Sequence, residues 1–344
     1  MKISILGAGW FGCYIGYSLS NKGYDVTIYE KKNDIFLNAS GNNQNRLHLG
    51  YHYPRSKITT SLSKEGFKKF KKKFPFFSKK INKNYYAISN DIKTNINFKS
   101  YLKILKKLNL EYRILKKKKI NFLEKIEGAV NTKEELILVD KAKKFFKKKL
   151  KDKIIYNYNV QNIKKEGGKY KINEKYYDVV IDCSSQQIIN KFKIKNLLFE
   201  YCLLMIYRTN KLSHPAITIM DGPFFTLYPW DNKSFGLYSV RYSRVISNKN
   251  YTNLKKLVKN KVNAKYLNNI KKKIETNFSY FYPDFKKNFK FVKFLKSYRT
   301  IIKNKNDDRD CKVFEKNKYI GIVSGKIDHI FFATREVERC LKKY

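Results

Sequence analysis

The chain has 344 residues, 42% of them apolar, which is enough for two domains and a substantial core. It carries 75 lysines and arginines against 28 acids, a formal charge of +47; Asn, Ile, Phe and Tyr are abundant too, as A/T-rich codon usage would produce, so most lysines are expected on solvated faces and nucleic-acid binding is not favoured. Five scattered cysteines without a CxxC argue against a zinc site and fit a reducing cytoplasm, and no apolar run is long enough to span a bilayer.

The chain opens with "KISILGAG", a short apolar run ending in glycine, which predicts a buried strand and a tight turn. "WFGCYIGYSLSNKG" predicts a helix ending at Gly23, and "DVTIYEKK" a second strand. Lys2 and the apolar run could pass for a signal peptide, but Gly7, Gly9, Gly12 and Gly16 weaken its helix and no A-x-A site follows. A soluble cytoplasmic protein is expected. Residues from about 57 to 151 are expected to be dominated by lysine-rich helices: "SLSKEGFKKFKKKFPFF", "FKSYLKILKKLNLEYRILKKKK" and "TKEELILVDKAKKFFKKKLKDK". "KIIYNYNVQNIKKEGGKYKINEKYYDVVIDCSS" predicts a strand, a hairpin turning at Gly167-Gly168, and a buried strand. Strand-like runs between 198 and 246 predict an antiparallel sheet. A helical segment follows over about 251–278, and a strand, turn and helix close the chain. No repeat or Gly/Ser linker is present.

Gly7-Ala8-Gly9-Trp10-Phe11-Gly12 is a GxGxxG between the first strand and the first helix. The first glycine permits the turn, the second lets a pyrophosphate approach the backbone, and the third lets helix and strand pack closely. Glu30, at the end of the second strand, stands where a carboxylate accepts from adenosine ribose hydroxyls. It also disfavours a 2′-phosphate, so NADP is the least expected ligand. Between Lys32 and Lys57 there is no lysine; instead "NASGNNQNRLHLGYHYPRS" concentrates Asn, Gln, Arg and His. Such a loop suits a second ring system, wrapped by backbone amides and short polar groups.

Taken in this order, the motifs resemble the FAD-dependent oxidoreductases of the D-amino-acid oxidase superfamily. "GAGWFG" with Glu30 is similar to its FAD fingerprint. "SGNNQNRLHLGYHY" is similar to its flavin-contacting loop, "VVIDCSS" to a strand ending near the cofactor, "MDGPFFTLYP" and "LYSVRYS" to the substrate-domain sheet, and "GIVSGKIDHI" to the C-terminal turn under the flavin. Asn45 and Ser185 stand where the family usually has glycine, and no proline follows Arg299 or Arg309.

The resemblance implies an α/β fold: a Rossmann-like FAD-binding domain (1–75, 146–195 and 305–344) with an α+β, mixed or antiparallel-sheet substrate domain (76–145 and 196–304). It implies FAD held by Gly7, Ala8, Gly9, Trp10, Phe11 and Gly12, and by Glu30 and Lys31. Ser40, Gly41, Asn42, Asn43, Gln44, Asn45, Arg46 and Leu47 would track toward the flavin. Val160 would bond adenine through its backbone, and Cys183 and Ser184 would lie nearby. Gly325, Lys326, Ile327 and Asp328 would sit by the flavin pyrimidine, with Lys326 stabilising the reduced flavin near N1–C2=O. His48 is the candidate base, with a structural role as its alternative, and His52 is expected to be structural. Arg46, Arg241 and Arg299 are candidates for a substrate anion, with Tyr228 and Tyr298 as hydroxyl partners. No metal is expected. The implied activity is oxidation of a C–N or C–O bond in a small, anionic substrate by hydride transfer to flavin N5, the electron acceptor being left open. A flavin-dependent sugar-nucleotide mutase, or a basic nucleic-acid- or membrane-binding protein on a dinucleotide scaffold, stand as alternatives.

Overall fold

Strand β1 (Lys2–Leu6), helix α1 (Trp10–Ser20) and strand β2 (Asp25–Tyr29) form the expected βαβ unit. A computed structural model describes residues 1–90, 94–188, 192–211, 213–222, 224–304 and 308–344. β1 lies inside a six-stranded sheet, in the order Lys312–Lys316, Tyr319–Val323, Val179–Asp182, β1, β2, Ile154–Ile155. All neighbours pair in parallel except the edge hairpin of Lys312–Lys316 with Tyr319–Val323.

Both faces of this sheet are covered, which is why its strands read as continuous apolar runs. Alternate side chains face opposite layers. Ile3, Ile5, Val26, Ile28, Val179 and Ile181 share a core with α1 and the C-terminal helix Ile330–Leu341. Leu6, Tyr29, Val180 and Tyr319 pack instead against Tyr170, Ile172 and Tyr177 of a three-stranded meander. The meander's first turn is at Gly167-Gly168, both left-handed, as expected.

A nine-stranded sheet supplies the second layer system. Its long strand Leu197–Arg208 pairs with Lys290–Ile302, Ser234–Ser239 and Arg244–Asn248, all antiparallel. Asn84–Ser89 and Ala216–Met220 pair in parallel, the one such pair of this sheet among the described residues. Met205, Ile217, Ile219, Leu227 and Leu237 pack against Ile274 and Phe278 of helix Ala264–Ser279.

The stretch from 57 to 151 is less helical than expected. Helices Lys57–Lys73, Phe98–Lys107 and Val139–Lys149 form, but Asn84–Ser89, Ile126–Asn131 and Glu135–Ile137 are strands. "EELI" is extended because it pairs with β3 (Arg46–Leu47), Leu136 opposite Arg46 and Glu135 opposite Leu47. A short apolar run carries no periodicity that separates strand from helix, so a distant partner decides it. No helix among the described residues is long and apolar enough to cross a membrane, and no cluster of metal-ligating side chains occurs among them.

Candidate active site

The C-terminal ends of the parallel strands converge on a cavity of about 530 Å³. Its walls include Gly7 and Gly9 after β1, Glu30 after β2, Cys183 and Ser184 after Val179–Asp182, and Ser324–Ile327 after Tyr319–Val323. This is where open α/β sheets bind ligands. The opposite wall comes from the nine-stranded sheet, including Leu204, Thr226, Tyr238 and Thr300.

At one end the backbone is arranged for a pyrophosphate. Gly7 has φ of +95°, which L side chains rarely adopt. A Cβ on Gly12 would lie 1.9 Å from the Gly7 carbonyl oxygen, so helix and strand approach as only glycine permits. Gly9 caps α1, and the Trp10 N–H donates to Ser40 Oγ at 3.0 Å, tying the helix start to the lysine-free loop. Glu30 Oε2 accepts from the Ala8 N–H at 2.8 Å, and Oε1 from the Lys32 N–H at 2.9 Å. Val160 and Ile188 add apolar surface.

The other end contains a buried polar network. Arg46 Nη1 donates to Tyr86 Oη at 2.6 Å, and Tyr86 Oη donates to Glu134 Oε2 at 2.6 Å. Arg46 Nη1 lies 3.5 Å from the same carboxylate oxygen, Nη2 donates to Thr218 Oγ1 at 3.1 Å, and the guanidinium lies 4.0 Å from the Tyr228 ring centroid. Two residues on, His48 meets Lys326: Nζ donates to Nε2 at 3.0 Å. His48 Nδ1 lies 3.4 Å from Glu134 Oε1. Lys326 Nζ also sits 4.2 Å from the Tyr53 ring centroid. Burial, then the charges of Lys326, Arg46 and His329, hold His48 well below the usual histidine range, so the ring is neutral. Burial likewise pushes the Lys326 ammonium down and the Asp328 carboxyl up.

Residues 2–239 match the DAO family model, described as FAD dependent oxidoreductase. The chain belongs to this family. Over 337 residues it is 26% identical to the FAD-dependent monooxygenase FPY4 of Fusarium mangiferae, covering 98% of this chain and 90% of that protein. It is 25% identical over 380 residues to the FAD-dependent monooxygenase kojA of Aspergillus flavus, covering 98% and 85%. Its fold is shared with the L-alpha-glycerophosphate oxidase of Mycoplasma pneumoniae (TM-score 0.75, 17% identity, 99% and 94% of the two chains). The amino acid oxidase NikD is similar too (TM-score 0.74, 11% identity, 97% and 91%).

The walls fit the FAD of a DAO-family oxidoreductase. Arg46 Nε, His52 Nδ1 and Thr300 Oγ1 are buried side-chain atoms of cavity-lining residues, and none has a hydrogen-bond partner among the described residues. Buried polar atoms are rarely left unpaired, and a ligand rich in acceptors and donors would satisfy such groups.

Most of the residues expected at the site line this cavity: Gly7, Gly9, Trp10, Phe11, Glu30, Lys31, Ser40, Asn42, Asn43, Gln44, Arg46, His48, Val160, Cys183, Ser184, Arg299, Gly325, Lys326 and Ile327. Others stand behind the wall. Ala8, Leu47 and Asp328 are buried, and Gly41 packs against the Phe36 carbonyl. Asn45 is buried with φ of +51°, which explains why glycine suits that position and why asparagine is tolerated there. Ser185, the other departure, is also left-handed at φ +58°.

Three arginine and tyrosine expectations need correction. Arg241 is exposed on a turn, its guanidinium over the Tyr242 ring, and does not line the cavity. Tyr228 is fully buried beneath Arg46 and does not reach the cavity. Arg46 lines the cavity but is engaged by Glu134, Tyr86 and Thr218, so it is no mobile anion clamp. Arg299 lines the cavity with its Nε donating to Glu200 Oε2 at 2.6 Å. His52 packs 4.5 Å from the Phe224 ring. Glu134, and the Arg55–Asp221 pair at 3.6 Å, were not anticipated. The only trace of Glu134 in the sequence is an acidic pair just ahead of "LIL" in a lysine-rich segment.

Proposed function

We propose that this FAD-dependent oxidoreductase oxidises a C–N or C–O bond of a small anionic substrate, with His48 as proton acceptor. The observation that carries the reading is an imidazole on the wall of the FAD cavity, 3.0 Å from Lys326 Nζ, with Arg46 also on the wall. FAD, when bound, supplies the two-electron acceptor, with N5 as the hydride-accepting atom. His48 Nε2 takes the proton from the substrate hydroxyl or ammonium, whose carbon loses hydride and becomes C=O or C=N. Lys326, Arg55 and Arg309 supply positive charge for a carboxylate or phosphate. In this reading residues 1–75, 146–195 and 305–344 form the FAD-binding domain, and 76–145 with 196–304 the substrate domain.

The relatives' names support a second reading, a monooxygenase, in which FAD held in this cavity would supply activation of dioxygen and one oxygen atom would enter the product. One experiment addresses both. Purified holoprotein is mixed anaerobically with amino acids, hydroxy acids, polyol phosphates and sugar nucleotides, and the oxidised-flavin absorption is followed. Bleaching by an anionic amine or alcohol, abolished in His48→Asn, is the expected result. Bleaching that survives His48→Asn at the wild-type rate would remove the base assignment. For the substrate that bleaches, turnover under labelled oxygen separates oxidase from monooxygenase by whether label enters the product.

A further inference from the structure

We propose that Glu134 is the positioning residue of His48, fixing the imidazole as the Nδ1–H tautomer with the Nε2 lone pair available at the cavity. The proposal rests on the reading of His48 as proton acceptor, and its test below is independent of that reading.

Glu134 has no solvent exposure. Its two oxygens divide their contacts. Oε2 takes the Tyr86 hydroxyl at 2.6 Å and faces Arg46 Nη1 at 3.5 Å. Oε1 takes the Leu49 N–H at 2.9 Å and faces His48 Nδ1 at 3.4 Å. One carboxylate therefore touches Arg46, His48 and Leu49, all within four residues of the same segment. The Leu49 bond fixes the backbone next to His48, so Glu134 sets the ring position as well as its proton.

The tautomer follows from elementary donor and acceptor chemistry. An ionised carboxylate only accepts, so the ring nitrogen facing it carries the proton. The other nitrogen receives a hydrogen bond from Lys326 Nζ, so it holds the lone pair. With Lys326 as an ammonium, both neighbours favour the same tautomer. The titratable groups around the ring are Glu134, Lys326, Arg46 and His329, the last held neutral by burial. Of these, Glu134 is the acceptor placed at Nδ1. His48 Nδ1 makes no hydrogen bond among the described residues, and Glu134 Oε1 at 3.4 Å is the acceptor it faces, a long contact that a small ring rotation would close.

A buried ion pair is weak evidence for stability, because apolar residues of the same shape often do as well. Glu134 balances the buried Arg46 through one oxygen and turns the other toward the imidazole, so it can set the ring as well as neutralise the guanidinium. Anionic substrate would draw Lys326 away from Nε2 and leave the lone pair free, while Glu134 holds the proton at Nδ1.

The test uses FAD-loaded protein labelled with 15N-histidine. Nitrogen NMR distinguishes protonated from unprotonated ring nitrogens, and His48→Asn assigns the resonances. The expected wild-type spectrum shows His48 with protonated Nδ1 and unprotonated Nε2. Glu134→Gln is expected to collapse this to averaged or inverted shifts, and Glu134→Asp to keep the wild-type pattern in part. An Nε2–H tautomer in the wild type overturns the proposal, as does a wild-type pattern in Glu134→Gln. Should Glu134→Gln fail to fold, the wild-type tautomer alone decides. No substrate is involved, so failure here is separate from failure of His48 as the base.

Discussion

Arg46 and Glu134 lie in the protein interior, where either charge alone is costly. Removing one partner leaves the other desolvated and unpaired. Arg46→Leu is expected to lower stability by about 3–5 kcal/mol, and Arg46→Leu with Glu134→Leu by clearly less. Urea titration of the three proteins reads both effects; equal losses would mean that the pair does not act as a unit. His214 offers a pH-dependent counterpart away from the cavity. Its Nε2 meets Tyr282 Oη at 3.0 Å, and Phe289 and Phe235 pack around the ring. Burial lowers its pKa to about 4. In the unfolded chain a histidine titrates near 6.5, so the unfolded state binds more protons between these values. His214 therefore contributes no penalty above about pH 6.5, and destabilises progressively as pH falls toward about 4. Replacing it with Phe should flatten that limb of the stability curve by about 3 kcal/mol, measured as midpoint denaturant against pH. An unchanged slope in His214→Phe would show that the ring is not buried neutral.

The β1–α1–β2 unit carries the contact that tolerates least change. A Cβ at position 12 would stand 1.9 Å from the Gly7 carbonyl oxygen, so α1 must move off β1 or the turn must open. Gly12→Ala is expected to lose FAD during purification, seen as a missing flavin spectrum, whereas Gly23→Ala, beyond the end of the helix, should keep it. Ser185→Gly, by contrast, removes a left-handed strain worth about 1–2 kcal/mol, partly offset by glycine's entropy, and should raise stability by up to about 1 kcal/mol with FAD retained. These elements were legible because local pattern and final structure agree: an apolar strand, a glycine turn and a helix follow in sequence and touch in space. The hairpin at Gly167-Gly168 was legible for the same reason. "EELI" was not, since its strand state depends on Arg46 and Leu47, some ninety residues earlier. Asn84–Ser89 is buried along its whole length and lacks the alternation that marks a half-buried strand. At the site, glycines and the Asn- and His-rich loop announced themselves by composition. Arg241 looked as eligible as Arg299, because only the turn after Ser234–Ser239 directs it away from the cavity.

At the scale of the molecule, the question is whether the charge of +47 acts on ligands or merely coats the surface. The sequence cannot separate these, because lysines are spread along nearly the whole chain. The cavity separates them in part: Lys31, Lys32, Arg55, Arg244, Arg299, Arg309 and Lys326 stand on its walls beside Arg46, with Glu30 and Asp221 as the acids there. A cleft lined by one sign of charge focuses the field and speeds the approach of an opposite charge. FAD carries a pyrophosphate and is the right probe, with riboflavin as its uncharged counterpart. Mixing either with apoprotein and following flavin fluorescence gives the association rate. Raising salt from about 20 mM to about 500 mM shortens the screening length from roughly 20 Å to roughly 4 Å. The FAD rate should then fall by about tenfold, while the riboflavin rate stays level. Arg309→Gln with Arg55→Gln should reduce the salt slope, whereas Lys171→Gln with Lys175→Gln, on meander strands that do not line the cavity, should not. Equal slopes in both double variants would assign the attraction to the surface as a whole, and the cavity's cations would then matter only after contact.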